Sequence, residues 1–213
     1  MSQQNVMELT KQKNYQQAFD LACLSIRGMN LEERAKKAGA DYERGEGGEK
    51  IAIRFFSKPY QIRFPEVEFD SPSKKAVSLI TRIILLHYLI RADARPLTGQ
   101  WVGYKDIPGG LHYAGVFARR VTEPLLRKFG QSPKRFNEIG IELGGESADV
   151  GDASFVLHVL PFIFLQYVLW AGDEEFPPTV QLLFDASVDH YLSLEDIVVL
   201  GQITTGRLIQ RST

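Results

Sequence analysis

A chain of 213 residues, 44% hydrophobic and 24% charged, can bury about 70–75% of its unfolded surface, which excludes a disordered or low-complexity polymer. Its single cysteine, Cys23, excludes an intrachain disulfide framework and any thiolate set for zinc or an iron–sulfur cluster within this chain, so a reducing, cytoplasmic setting is expected. The formal net charge of −1 hides an asymmetry: residues 61–140 carry 13 Lys/Arg against 7 Asp/Glu, residues 141–213 only 2 against 11, without the continuous basic stripe that nucleic acid requires.

Residues 5–27 have helical spacing through Val6, Leu9, Phe19, Ala22, Cys23 and Ile26, with Gly28 placed to end the helix in a left-handed conformation. A charged segment, 31–44, and the flexible Gly45-Glu46-Gly47-Gly48 follow. Residues 1–45 are therefore read as an N-terminal helical segment and 46–213 as a single domain. Alternation at Ile51, Ile53 and Phe55 and at Tyr60, Ile62 and Phe64, around Ser57-Lys58-Pro59, predicts a β-hairpin. Ser71-Pro72-Ser73 reads as the start of a helix running to about Ala92, apolar nearly all round from Ile83 to Ile90 and so central and buried.

Residues 93–111 read as a loop. Residues 112–129 and 132–142 read as helices, the first bent or divided at Pro124 and the second opened by Ser132-Pro133. Ser154–Leu160 is a predicted strand. Two further strands flank the acidic connection Asp173-Glu174-Glu175-Phe176-Pro177-Pro178, the first of them, 162–170, apolar on both faces and so interior to its sheet. The run Phe155–Ala171 is interrupted by His158, Pro161 and Gln166 and is not a membrane span. Ser193-Leu194-Glu195-Asp196 approximates a capping box at the start of a last helix that reaches Arg211. The fold class is α+β: a mixed or antiparallel sheet with a central buried helix and flanking helices.

Several of these segments together resemble one family. They are Leu85-Leu86-His87-Tyr88-Leu89, Trp101-Val102 with Asp106-Ile107-Pro108-Gly109-Gly110, Trp170 with Gly172 to Pro177, and Leu183-Phe184-Asp185 followed by Tyr191-Leu192 and Glu195-Asp196. Over residues 20–205 the chain is similar to the uncharacterised family of anaerobic bacteria and archaea called domain of unknown function 3786. The resemblance implies an anaerobic setting. Some members are joined to a cysteine-rich domain of the kind that carries an iron–sulfur cluster beside corrinoid proteins, which makes an iron–sulfur or corrinoid partner an expectation for a chain that lacks those cysteines. No established reaction comes with the family.

The residues themselves point to one loop. Gly109 and Gly110 let backbone N–H groups approach a ligand, a helix opening near His112 aims its positive end there, Lys105, Arg119 and Arg120 add charge, and Trp101 and Tyr113, with Tyr104, offer ring faces. A small anionic or ring-containing ligand, a tetrapyrrole-type cofactor among the candidates, is the expectation, in an accessory role. The competing account is a long connection pinned by its aromatics. A second class is an enzyme using acid/base or metal chemistry at the acidic hairpin, from Asp173, Glu174, Asp185 and His190, with Asp185, Asp189 and His190 the divalent-metal candidates. A third is an interaction module for an iron–sulfur or corrinoid partner protein. His87 is expected to be buried in its helix and satisfied or liganded. His158 shares a strand face with Ser154 and Val156 and is expected to be a satisfied core histidine.

Overall fold

The computed structural model describes residues 3–212, with side chains from residue 12 onward. The chain divides into two compact units, Met1–Arg54 with Lys58–Ala94, and Phe55–Ser57 with Arg95–Thr213.

In the first unit, α1 (Gln3–Arg27) buries Ala22, Cys23 and Ile26, one stripe of a 3.6-residue repeat. Val6 and Leu9 lie outside the residues whose side chains are described. Gly28 does not have the expected left-handed conformation; the chain leaves the helix through Gly28 N–H to Ser25 O and Met29 N–H to Ile26 O bonds instead. The charged segment resolves into α2 (Leu31–Lys37), capped where the Asn30 side chain accepts from Glu33 N–H at 3.0 Å, and β1 (Asp41–Gly45). With β2 (Gly48–Phe55), β3 (Lys58–Phe64) and β4 (Glu68–Asp70), β1 forms a four-stranded sheet in chain order. The position between residues 45 and 46 falls in the turn of the β1–β2 ladder, where Gly45 is the register partner of Gly48.

The next helix, α3 (Leu79–Arg91), begins eight residues after Ser71, with Ser78 as its N-cap. The start expected at Ser71-Pro72-Ser73 is displaced because Ser71 spends its hydroxyl on Lys75 O and Lys74 takes a left-handed backbone, φ 55°. The expected central burial holds: Ile83, Ile84, Leu85, Leu86, Tyr88 and Leu89 are all buried. Arg34 donates to the carbonyls of Leu89 and Ala92, satisfying the end that a helix leaves bare. His87 is half-buried, not buried as expected, since Leu86 and Tyr88 on either side take the interior positions.

The second unit is built on a five-stranded sheet in the order β5-β9-β8-β7-β6, comprising β5 (Trp101–Gly103), β6 (Glu146–Ser147), β7 (Ala153–Leu160), β8 (Ile163–Trp170) and β9 (Thr179–Asp185). As expected, β8 is interior and pairs antiparallel with β9, leaving Asp173–Pro178 in the exposed turn. Its two apolar faces fit a strand covered on both sides. On one face Phe136, Phe155 and Tyr167 form a ring cluster with centroids 5.0–6.3 Å apart. Phe136 comes from α6 (Pro133–Glu142), which can close on β7 because Gly140 carries no side chain: a Cβ there would sit 2.3 Å from the Phe155 ring. His158 is exposed, not in the core as expected, since its strand neighbours Leu157 and Val159 point inward. It stacks on Phe164 at 4.2 Å, with Nε2 3.2 Å from Pro161 O. The last helix, α7 (Leu194–Arg211), opens on the expected capping box, Ser193 with Asp196. None of the described helices is long and apolar enough to cross a membrane.

Candidate functional site

The site in the second unit begins with a carboxylate. Asp185 ends β9 opposite Trp101 of β5, and its side chain is buried. Its oxygens accept from Thr98 N–H and hydroxyl at 3.1 Å, Gly99 N–H at 2.8 Å, Ser187 N–H at 2.9 Å and Ser187 hydroxyl at 2.7 Å. Burial by itself pushes its pKa up, but the bonds from Ser187, Thr98 and Gly99 outweigh it and hold the carboxyl below the usual carboxylate range. Asp185 is thus the anchor that folds residues 98–100 against the strand, with both oxygens committed to that task.

Beyond β5 the loop turns through a 3₁₀ segment, Tyr104–Asp106. Tyr104 is buried, stacks on Phe117 with centroids 4.4 Å apart and planes 9° apart, and donates its hydroxyl to Leu194 O at 3.3 Å. Burial, reinforced by the charge of Glu195, raises its pKa. Gly109 sits at φ 80°, a conformation that favours glycine. The backbone at Gly110 is approached closely by the loop itself: its N–H donates to Ile107 O at 2.7 Å, and a Cβ there would lie 1.9 Å from Tyr104 O.

The helical stretch that follows consists of α4 (Ala114–Phe117), a π-helical turn over Ala118–Thr122 and α5 (Glu123–Phe129). Division near Pro124 is what the sequence leads one to expect. Pro124 lacks the N–H that would continue the i→i−4 ladder, and Glu123 N–H reaches back five residues to Ala118 O. The widened turn is held from α7, where Thr205 donates its hydroxyl to Val121 O at 3.2 Å. Gly201 makes the approach feasible, since a Cβ there would stand 3.0 Å from the Val121 side chain.

Between the 103–106 loop, this helical stretch and β9 lies an open groove of about 410 Å³, whose lining includes Tyr104, Lys105, Asp106, Phe117, Thr122 and Leu182. Of the residues expected from sequence to contact a ligand, Lys105 lines it. Trp101, Gly109, Gly110, His112, Tyr113, Arg119 and Arg120 lie outside its lining. Trp101, His112 and Tyr113 are exposed, and Arg120 pairs with Glu195 at 3.5 Å. Residues 110–113 form a 3₁₀ turn and α4 is four residues long, so the aligned helix end expected near His112 does not form there. Phe117, Thr122 and Leu182 escaped sequence reasoning; the usable signal was Pro124 inside a helical pattern, which marks an irregular turn and the residues before it.

The acidic hairpin residues do not converge. Asp173 lies in the turn after β8, accepting from Glu175 N–H at 2.9 Å and Phe176 N–H at 2.7 Å, bonds that lower its pKa, that from Phe176 most. Asp185 lies at the other end of β9, roughly 20 Å along the strand at ~3.3 Å per residue. The Asp189 and His190 side chains approach to 4.0 Å. Among the described residues no group of three or more His, Cys, Asp or Glu side chains is arranged to hold a metal ion.

Comparison with known proteins yields one family model, described as a domain of unknown function and numbered 3786, which matches residues 30–207. No curated protein and no solved structure matches the chain.

Proposed function

From the premise that the chain belongs to the domain of unknown function 3786 family, whose description names no reaction, we propose that it binds a small ring-containing ligand bearing an anionic group in the groove of its second unit. The observation that carries this reading is the π-helical turn at the groove wall. Such turns give up regular hydrogen bonding, and they recur at functional sites where a helix must present side chains out of register. Here the turn sets Thr122 beside the Tyr104–Phe117 stack and Lys105. The stack and Leu182 form an apolar bed, Lys105 supplies the positive charge and Thr122 a hydroxyl, the mixture of apolar wall and few polar groups that small-molecule sites use. A groove of about 410 Å³ admits one ring system whole. A tetrapyrrole would enter by one edge with a carboxylate at Lys105. The accessory role in anaerobic metabolism belongs to the same proposal and rests on the family resemblance.

Calorimetric titration of the full chain with salicylate, protoporphyrin and dicyanocobyrinic acid, each of which carries a carboxylate, tests the site. Saturable binding of at least one is expected, weakened about tenfold or more in Lys105→Ala and unchanged in Lys128→Ala. Absence of saturable binding by all three, or equal affinity in the Lys105 variant, removes the groove as the ligand site.

A further inference from the structure

The first unit carries a cleft of about 640 Å³ whose lining includes Pro59 and Gln61 from β3, Phe69 and Asp70 from β4, and Lys74 and Lys75 from the segment that follows. Gln61 and Asp70 face each other in the strand register. The one acidic group of the lining is already matched, because Arg63 pairs with Asp70 and also with Glu68, the latter at 2.8 Å. Lys74 and Lys75 make no ion pair among the described residues, so the lining, with Asp70 its one carboxylate, keeps a net positive charge. It lies on the segment 61–140 in which Lys and Arg outnumber Asp and Glu.

The segment bearing the lysines is held in an unusual shape. It opens with Ser71-Pro72-Ser73, yet it stays out of the helix: Lys74 N–H bonds Ser71 O at 2.9 Å, and Ser71 Oγ donates to Lys75 O at 2.7 Å and lies 3.2 Å from Ser73 Oγ. Lys74 takes a left-handed backbone, φ 55°, which L residues with a side chain rarely adopt. Phe69 gives the cleft a ring wall, with the Arg82 guanidinium 6.0 Å from its centroid. Two ammonium groups outside any ion pair, in a concave site next to an amide and a ring, match a dianionic head on a flat or apolar body. A phosphate monoester carries two negative charges on one compact centre, which two neighbouring lysines can meet as point charges.

We propose that this cleft binds a small phosphomonoester with a ring or apolar body, its phosphate held by Lys74 and Lys75 and its body set against Pro59 and Phe69. Titration of the full chain with phenyl phosphate, inorganic phosphate and phthalate at low and near-physiological salt tests it. Phenyl phosphate is expected to saturate, to bind more tightly than the other two, and to weaken as salt screens the lysines. Lys74→Gly removes the ammonium while relieving the left-handed backbone, so the fold, followed by circular dichroism, is expected to persist while affinity falls at least tenfold. The Lys74→Gly/Lys75→Ala double variant loses more, and Lys128→Ala in the second unit loses none. No saturable binding by the native chain, phthalate bound as tightly as phenyl phosphate, or unchanged affinity in the double variant overturns the proposal.

Discussion

Asp185 shows how a single side chain can look like a catalytic group and serve as a brace. The sequence places it at a strand end beside Asp189 and His190, a reasonable metal pattern, but its oxygens accept from Thr98 and Gly99, residues 87 and 86 positions away. Hydrogen bonds to a charged acceptor contribute about 1.5–3 kcal/mol each when shielded, so Asp185→Asn is expected to destabilise the fold by about 1–3 kcal/mol and to speed amide exchange at Thr98 and Gly99. Urea denaturation and hydrogen exchange measure both. The folded carboxyl has the lower pKa, so the unfolded chain takes up the proton first as pH falls. Asp185's contribution is therefore fully present above the ordinary aspartate range, near ~4, and is lost as pH drops through the folded value. An equal stability of the Asn variant at neutral pH would refute the brace. Gly110 makes the complementary point: glycine next to glycine suggests room for a ligand, whereas the room is taken by the carbonyl of Tyr104.

At the scale of elements, local patterns sufficed wherever the physics is local. The capping box of α7, the alternation of β2 and β3, and the two-faced apolarity of β8 were all legible, because each depends on spacing within one segment. The start of α3 was not, since Ser71 and Ser78 are both competent N-caps and the contest is settled by hydrogen bonds around Lys74. The π-helical turn was half legible: Pro124 announced an interruption, but its partner is Thr205 on α7, 84 residues on. Thr205→Val keeps the shape and removes the hydroxyl that donates to the Val121 carbonyl. It should cost about 1–3 kcal/mol and, if the turn shapes the groove, weaken ligand binding there more than Thr204→Val does. Chemical denaturation paired with titration of the groove ligand separates the two effects, and a variant that matches the native chain in both would show that α7 does not hold the turn.

For the whole molecule, charge makes the clearest prediction. With a formal net charge of −1 at pH 7 and a sequence pI near 6.4, self-repulsion is weak near neutrality, so solubility in polyethylene glycol precipitation should be lowest around pH 6.4 and rise on either side. A minimum displaced by more than about one unit would show that the folded charges titrate collectively away from their ordinary values. The division into two compact units was not legible, because the expected break at residues 45–46 followed a glycine-rich stretch that turned out to be a hairpin turn; flexible composition marks both a linker and a tight turn. By itself the sequence determined the α+β class, the interior strand, the buried central helix and the poverty in thiols, since composition and short-range periodicity govern which faces must leave water. Only the tertiary structure decided which residues share a cleft. Lys105 lines one groove with Phe117 and Leu182, and Gln61 lines another with Lys74, through strand register and the close approach of distant backbones, which the spacing of residues within one segment does not encode.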